Sequence, residues 1–513
     1  MTSTVLSLSS APAAVEHVDV LIVGAGLSGV GAAVHLQESC PTKTYAILEA
    51  RAAMGGTWDL FRYPGVRSDS DMFTLGYNFR PWEGEKSIAD GDDILHYIND
   101  TAREHRVDQR IRYHHRVTRA EWSSATAQWT VTIERSDTGD TVTMTCNFLW
   151  SCSGYYRYDE GFSPEFSGAE RFKGPVIHPQ HWPPDLAYEG KRVVVIGSGA
   201  TAVTLVPAMA ERAGHVTLLQ RSPSYILSIP GKDGLADRLR SLLPAKLAYF
   251  LIRRKNVALA TLVYENSRRR PRLVKRLIRK GLARQLPGGF DLDRHFTPSY
   301  NPWDQRLCLV PDGDLFQAIR AGQASMVTDR ISSFTETGIE LESGEHLDAD
   351  IIITATGLNL LMMGGMELVV DGHPVSLPDT VAYKGMMLSG VPNLVLTVGY
   401  TNASWTLKAD LVADYVGRLV NHMDSHGYRV CTPLPPDPEE ETAPLLDLTS
   451  GYIQRSIDEL PRQGSRPPWK LHQNYRRDIG LFRKAPLVDE GISFSNPEPT
   501  PKVAGDPVAG VAR

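Results

Sequence analysis

Two stretches of the chain repeat one pattern of a short apolar run, a glycine-rich turn and a helix-forming segment. The apolar runs cover residues 18–23 (VDVLIV) and 193–196 (VVVI). Apolar, largely β-branched runs of this kind are typical of strands buried on both faces of a parallel sheet. A glycine-rich turn between such a strand and a helix is typical of a dinucleotide-binding βαβ unit. The pattern therefore predicts an α/β fold with two Rossmann-like dinucleotide-binding domains.

Between the two units the pattern changes to short alternating segments. Residues 116–122, 128–134 and 141–150 each read as a strand, and residues 137–140 (DTGD) read as a hairpin turn. These segments predict a β-meander inserted into the first domain. Further along the chain, the apolar run that ends at residue 353 predicts a strand over residues 347–357 that returns to the first sheet.

Composition narrows the class of protein. Hydrophobic residues make up 42% of the chain and charged residues 22%, which is ordinary for a globular protein. A formal net charge of −5 predicts no general attraction to nucleic acid. The five cysteines include no C-x-x-C pair, so a metal site and a redox dithiol are not expected. The N-terminus lacks the pattern of a signal peptide, and no run of about 18 apolar residues predicts a membrane span. We expect a cytoplasmic protein.

The first glycine-rich turn has the spacing G-x-G-x-x-G. Gly24 is expected to make the tight turn, Gly26 to let the backbone approach a pyrophosphate, and Gly29 to let the helix pack closely on the strand. Glu49 follows the next predicted strand, 20 residues after Gly29, where a carboxylate accepts hydrogen bonds from ribose hydroxyls. The phosphates are expected at the N-terminus of the helix, where the dipole favours an anion.

The second turn has the related spacing G-x-G-x-x-A. Its strand partner ends in Arg221 and Ser222, where a site for NAD would present an acid. A guanidinium and a hydroxyl suit a 2′-phosphate, so the sequence favours NADPH over NADH. The predicted cofactor-binding residues of this turn are Gly197, Ser198, Gly199, Ala200 and Thr201.

A basic segment interrupts the second domain. Residues 238–284 contain fifteen Lys or Arg residues and one acid, Glu265, with apolar residues interleaved at helical spacing. The pattern predicts amphipathic helices. Two interpretations stay open: a helical insertion whose basic face is solvated, or a peripheral element that contacts anionic lipid.

Two further motifs resemble those of the flavin-dependent Baeyer–Villiger monooxygenases. One lies between the two units and has the spacing F-x-G-x-x-x-H-x-x-x-W-P, with Phe172, Gly174, His178 and Trp182 at its defined positions. The other, over residues 55–69, combines G-G-x-W with Y-P-G and a following aspartate. Within this family, residues 63–69, 304–311 and 401–408 resemble the branch of mycobacterial ethionamide-activating monooxygenases. From their chemistry alone, we expect His178 to be packed or hydrogen-bonded rather than catalytic, and Gly174 to give the backbone freedom.

The resemblance implies roles for particular residues. FAD occupies the first turn, and Asp69 pairs with Arg306, which stabilises negative charge that develops during the reaction. Many relatives have a lysine where this chain has Gln305, so the contact with the 2′-phosphate depends mainly on Arg221. The further residues implied to lie against FAD are Gly56, Thr57, Trp58 and Val117.

The activity implied is the FAD- and NADPH-dependent insertion of one oxygen atom of O₂ beside the carbonyl of an apolar ketone, giving an ester or lactone. Oxidation of thioethers is expected as well. Two alternatives stay open: a monooxygenase of nitrogen and sulfur atoms on the same scaffold, and a Rossmann-fold regulatory protein without turnover. A flavin disulfide reductase is disfavoured because no cysteine pair follows the first helix.

The predicted domain order completes the sequence-based description. At 513 residues the chain is too long for a single hydrophobic core. The predicted segments are 1–16, a disordered N-terminus; 17–154, the first part of the FAD-binding domain; 155–190, the linker with the Baeyer–Villiger motif; 191–345, the NADPH-binding domain with its basic insertion at 232–290; 346–495, the second part of the FAD-binding domain and a C-terminal cover; and 496–513, a flexible tail.

Overall fold

The computed structural model describes residues 15–446 and 448–498. The predicted disordered N-terminus and flexible tail fall almost wholly on residues 1–14 and 499–513, which lie outside the described residues.

The first domain is built on a nine-stranded sheet. Its strand Glu16–Val23 pairs in parallel with Tyr45–Leu48 on one side and with Thr141–Ser151 on the other. Residues 20–23 are all buried, as the apolar run predicts. In spatial order the strands are His373–Pro374, Glu367–Val370, His115–Ser123, Gln128–Arg135, Thr141–Ser151, Glu16–Val23, Tyr45–Leu48 and Ile111–Arg112, with Leu394–Leu396 also paired to Thr141–Ser151.

The predicted meander forms the antiparallel part of this sheet. Its strands lie within one residue of the predicted bounds, at His115–Ser123, Gln128–Arg135 and Thr141–Ser151. Trp122 and Trp129 are directly opposite each other across the first pair and are fully buried. Cross-strand aromatic pairs of this kind stabilise a sheet and fix its register.

The second domain contains a five-stranded parallel sheet, and its membership corrects the sequence prediction. Ile351–Thr354, which we assigned to the first sheet, pairs in parallel with Arg192–Ile196 and therefore belongs to the second. An apolar run shows that a strand is buried but not which sheet it joins, because strand partners are chosen by tertiary packing. In spatial order the strands are Ala324–Thr328, His215–Gln220, Arg192–Ile196, Ile351–Thr354 and Val176–Ile177.

The predicted linker 155–190 is also more structured than the sequence suggests. Val176–Ile177 is the edge strand of the second sheet. Tyr156–Gly161, where the chain leaves the first domain, pairs antiparallel with Leu358–Leu360, where the chain returns. The two connections between the domains therefore form one two-stranded ribbon. Because Ile351–Thr354 belongs to the second sheet, the boundary predicted at 345/346 lies after Thr354 in the structure.

Smaller sheets complete the two domains. Ile226–Ile229 pairs in parallel with Cys308–Pro311. The remaining sheets are Ile331–Phe334 with Gly338–Leu341 and His346–Asp348; Ala382–Tyr383 with Met387–Leu388; Val430–Pro433 with Ile492–Ser495; and Ala443–Pro444 with Arg462–Gln463.

The predicted basic insertion forms three helices, α6 (Gly234–Leu242), α7 (Ala245–Arg269) and α8 (Pro271–Gln285). No helix in the described part of the chain is long and apolar enough to cross a membrane. The helices are α1 Leu27–Ser39, α2 Thr57–Leu60, α3 Met72–Leu75, α4 Gly91–Glu104, α5 Ala200–Ala210, α6 Gly234–Leu242, α7 Ala245–Arg269, α8 Pro271–Gln285, α9 Leu292–Phe296, α10 Asp314–Arg320, α11 Trp405–His426, α12 Gly451–Gln454 and α13 Tyr475–Ile479.

A buried carboxylate joins the insertion to the first domain. Asp410 of α11 pairs with Arg253 of α7 at 3.0 Å and with His35 of α1 at 3.3 Å, and it accepts the amide of Asn78 at 3.1 Å. The side chains of Asp410 and Arg253 are 3% and 7% exposed. Arg253 also donates to the carbonyl of Gly76. The position of α7 therefore depends on a charge network inside the protein.

Candidate active site

A cavity of about 560 Å³ is lined by residues of both domains. Gly24 and Thr57 reach it from the first domain, and Ala200, Thr201 and Arg306 reach it from the second. The structure therefore brings one end of each predicted dinucleotide site to the same space. A hydride can pass between two cofactors only if their reactive rings meet, and this arrangement allows it.

The first turn has the close contacts that a dinucleotide cradle needs. Gly24 has a φ of +102°, and a Cβ there would lie 2.8 Å from the carbonyl oxygen of Cys152. A Cβ at Gly29 would collide with the carbonyl oxygen of Gly24, so the glycine is required for α1 to begin against the strand. Gly26 caps α1 without a side-chain hydrogen bond, which leaves the helix N-terminus available to an anion.

Glu49 lies beside this turn, as predicted. Its carboxylate accepts the amide of Ala25 at 2.8 Å and the amide of Arg51 at 3.0 Å. Burial raises the pKa of the Glu49 carboxyl, and the two amides act in the opposite direction. The side chain lines the cavity and is held by the backbone at the place where a ribose would lie. The first turn therefore fits a dinucleotide.

The second motif, at residues 55–69, includes the short helix α2. Gly56 precedes it with a φ of +58°, a conformation that favours glycine. The hydroxyl of Thr57 lies 3.1 Å from the hydroxyl of Tyr158. Gly56, Thr57 and Trp58 all line the cavity, together with Val117 of the meander.

The second turn is open toward solvent. Gly197 has a φ of +141°, and its missing side chain leaves room for the carbonyl of Ala355. At Gly199 a Cβ would meet nothing within 4 Å, so the backbone there is accessible to a phosphate. The hydroxyl of Ser198 lies 2.8 Å from that of Ser224 and donates to the carbonyl of Ser222. The residues present fit a second dinucleotide.

The predicted contacts with the 2′-phosphate are less complete. Arg221 and Ser222 are exposed, and Arg221 forms no ion pair with a described residue. Its guanidinium is therefore available to an anionic ligand. Gln305 is half-buried and forms a backbone bridge with Pro302. Neither Arg221 nor Gln305 lines the cavity, so the adenosine end of this site lies outside it.

Arg306 and Asp69 are brought together as the sequence predicts. The Nε of Arg306 lies 2.8 Å from an Oδ of Asp69, and both side chains line the cavity. They are 30% and 37% exposed, because one face of the pair is open to the cavity. Desolvation alone would lower the pKa of Arg306, but Asp69 and nearby tyrosine hydroxyls outweigh it and keep the pKa above its ordinary value. A fixed cation therefore faces the cavity.

Sequence reasoning missed the tyrosines around this cation. Tyr155 and Tyr156 pack ring against ring with centroids 4.7 Å apart, and Tyr452 of α12 lies 6.5 Å from Tyr156. Tyr155 also packs against Trp405, at the start of α11. The signal available in the sequence was the pair Tyr155-Tyr156 directly after the first domain. Tyr452 carried no local signal, because only tertiary folding brings α12 to Arg306.

His178 lies where the two connections between the domains meet. Its Nδ1 accepts the amide of Gln180 at 3.2 Å, so Nε2 carries the proton and donates to the carbonyl of Gly357 at 3.0 Å. Burial lowers the pKa of His178, which keeps the ring neutral. The ring also packs against Gly161. This geometry agrees with a hydrogen-bonded histidine that holds the ribbon, and it places His178 outside the cavity.

The other residues of the linker motif act as packing positions. Phe172 packs against Phe334 in the core below the second sheet, and the half-buried Trp182 packs against the other core of that domain. For Gly174 we expected backbone freedom, but the structure gives a different reason. A Cβ at this position would collide with the carbonyl of Asp350 and meet the ring of Phe172 at 2.8 Å. The glycine is needed for close approach rather than for an unusual conformation.

Comparison with known proteins identifies the family. A family profile described as "Flavin-binding monooxygenase-like" matches residues 87–363, more than half of the chain. The chain belongs to the flavin-binding monooxygenase-like family. A profile for an NAD(P)-binding Rossmann-like domain matches residues 22–80. The prediction of a flavoprotein monooxygenase is therefore confirmed.

One curated relative supports this assignment, and two solved structures share the fold. The FAD-containing monooxygenase EthA of Mycobacterium tuberculosis H37Rv is 58% identical over 481 residues, which cover 94% of this enzyme and 98% of EthA. An oxidized steroid monooxygenase bound to NADP has a TM-score of 0.71 at 22% identity and covers 94% of this enzyme and 100% of that chain. A polycyclic ketone monooxygenase from Thermothelomyces thermophila has a TM-score of 0.72 at 16% identity, covering 96% and 91%. These likenesses confirm the predicted α/β fold with two dinucleotide-binding domains.

Proposed function

We propose that this enzyme is a Baeyer–Villiger monooxygenase that uses FAD and NADPH to convert an apolar ketone into an ester or lactone. One atom of O₂ enters the product, the other leaves as water, and NADPH supplies the two electrons. The observation that carries the proposal is the Arg306–Asp69 pair, a fixed cation in a cavity shared by both dinucleotide sites. The EthA relative is named as FAD-containing, and the two solved neighbours are named for NADP, a steroid and a polycyclic ketone.

Different residues of the chain are proposed to bind FAD, to stabilise negative charge and to exclude water. The turn at Gly24 and the carboxylate of Glu49 would hold FAD, and bound FAD would supply the chemistry that activates dioxygen. Arg306 presents donors to the negative charge that develops on oxygen, and this charge stabilisation is preorganised because Asp69 fixes the guanidinium. Cavity walls that include Leu361 and Met363 exclude water and suit an apolar substrate.

Product analysis tests this proposal directly. The purified holoenzyme with NADPH should convert linear, cyclic or aromatic ketones into esters or lactones, and products should be followed by mass spectrometry together with peroxide release. NADPH loss without an oxygenated product would indicate uncoupled turnover. If a thioether becomes a sulfoxide while every ketone class is left unchanged, the enzyme is a heteroatom monooxygenase and the proposal is wrong.

Replacement of Arg221 by alanine should separate the two nicotinamide cofactors. The KM for NADPH is expected to rise by about 10- to 100-fold, because a hydrogen bond to a charged group contributes about 1.5–3 kcal/mol. The KM for NADH should change little, since NADH has no 2′-phosphate. Steady-state kinetics with both cofactors measures this difference. An equal change for NADH and NADPH would assign the 2′-phosphate to other residues.

A further inference from the structure

The basic segment encloses an apolar groove that the monooxygenase site does not use. A cavity of about 430 Å³ lies between α7, α8 and the strand Ile226–Ile229. We call it the α7–α8 groove. Its lining includes a few polar residues, among them Ser267 and Gln285. Its apolar walls are formed by Leu262, Val263, Leu273, Val274, Leu277 and Ile278.

The leucines along this groove are unusually exposed. Leu262 and Leu277 are each 59% exposed, Leu259 is 56% exposed and Leu273 is 46% exposed. Single exposed leucines are common on protein surfaces, but contiguous ones on two neighbouring helices mark an interaction surface. A basic helix face that contacts only water is not expected to carry such exposed leucines.

Cations without partners share this surface. On α8, Arg272, Arg276 and Lys280 follow one another at a spacing of four residues, next to Leu273 and Leu277 on the exposed side of the helix. Between residues 254 and 280, six cations of α7, α8 and the turn between them form no ion pair with a described residue: Arg254, Arg270, Arg272, Lys275, Arg276 and Lys280.

Acidic side chains do not offset this charge. Glu265, the single acid between residues 238 and 284, lies 3.5 Å from Arg269. Asp304 and Asp293, which lie nearby, pair with Arg268 and Arg279. The six unpaired cations therefore remain available to an external anion.

We propose that the α7–α8 groove and its six cations bind the surface of an anionic lipid bilayer. The leucines enter the boundary between head groups and acyl chains, and the guanidinium and ammonium groups contact the lipid phosphates. A second copy of the chain fits less well, because an isologous contact would set the same unpaired cations against each other. The exposed leucines and the unpaired cations together therefore favour a bilayer with anionic head groups as the partner.

The surface is physically connected to the loop that carries Arg306. Arg268, at the end of α7, pairs with Asp304 at 2.6 Å, and Tyr264 packs edge-on against Trp303. Variants on the outer side of α8 leave these contacts in place. Substitutions on the outer side of α8 can therefore change lipid binding without removing the contacts that hold the active-site loop.

Cosedimentation of the holoenzyme with vesicles tests the proposal. Vesicles of phosphatidylcholine containing phosphatidylglycerol should bind the enzyme, and vesicles of phosphatidylcholine alone should not. Each cation near an anionic surface contributes about fivefold to partitioning, so the triple variant Arg272→Gln/Arg276→Gln/Lys280→Gln should bind on the order of 100-fold more weakly. Leu273→Ser/Leu277→Ser, which keeps the charge, should also weaken binding.

A matched control removes the same charge elsewhere. Lys173, Arg212 and Lys232 are exposed and ion-paired outside the groove, and their triple glutamine variant should bind as the wild type does. FAD content and the rate of NADPH oxidation should be unchanged in all variants. The proposal is overturned if the enzyme binds neither vesicle, binds both equally, or responds to the control as to the α8 variant. It is also overturned if the leucine variant dissociates a dimer that has no affinity for lipid.

Discussion

Replacement of Arg306 by alanine is expected to abolish detectable ester formation while the reduction of bound FAD by NADPH continues. The guanidinium lies 2.8 Å from Asp69 and faces the cavity, so its removal deletes the fixed positive charge there. Loss of one preorganised donor to a developing oxyanion costs about 10²–10³ in kcat, and alanine removes every donor of this guanidinium together with its charge. Stopped-flow absorbance measures FAD reduction, and mass spectrometry measures the ester.

A double variant distinguishes this role from a structural one. Arg306→Ala leaves Asp69 without its partner, and that carboxylate could disturb the cavity by itself. Arg306→Ala/Asp69→Ala removes both charges and is expected to remain inactive in ester formation. Recovery of the ester in the double variant would show that the unpaired carboxylate caused the defect. Undiminished ester formation in Arg306→Ala would remove the guanidinium from the mechanism.

The largest effect on stability is expected for Asp410→Ala. The change leaves Arg253 without its buried counter-charge and leaves His35 with Asp414 as its remaining carboxylate. Hydrogen bonds to Asp410 and Asp414 raise the pKa of His35 to about 10 despite desolvation, so this ring is charged at neutral pH. Breaking a buried ion pair by removal of one partner costs about 3–5 kcal/mol. The free energy of unfolding should fall by this amount in urea denaturation.

An exposed ion pair provides the control. Glu189 pairs with Arg212, and both side chains are more than half exposed. Glu189→Ala should lower the free energy of unfolding by less than about 1 kcal/mol, because surface ion pairs contribute little. If the two variants were equally stable, Asp410 would not be an anchor of α7.

Several site residues could be predicted because their signals are local. The two glycine-rich turns and Glu49 at the end of the second strand were identified from short motifs, and the pair Arg306–Asp69 was implied by the family resemblance. The structure brings Glu49 to the first turn and Arg306 to Asp69. Local motifs are informative because a turn and the residues that follow it are constrained by backbone geometry within a few positions.

Other parts of the site had no comparable signal. Tyr452 approaches Arg306 from α12, almost 150 residues further along the chain, and nothing in its own neighbourhood indicates this. The return strand Ile351–Thr354 was predicted as a strand but assigned to the wrong sheet. Gly174 was identified as important for the wrong reason, since its neighbour Asp350 is distant in sequence.

The sequence by itself determined the fold class, the two dinucleotide turns and the basic helices, because each depends on hydrophobic period or on a motif of a few residues; the cation proposed for catalysis was identified through the family resemblance. Only the tertiary structure decided which sheet each buried strand joins, how His178 holds the two connections between the domains, and that Asp410 fixes α7. The physical reason is the same in each case. Burial patterns and turn geometry depend on residues that are close together in the sequence. The partner of a strand or of a buried charge depends on segments that meet only when the chain folds.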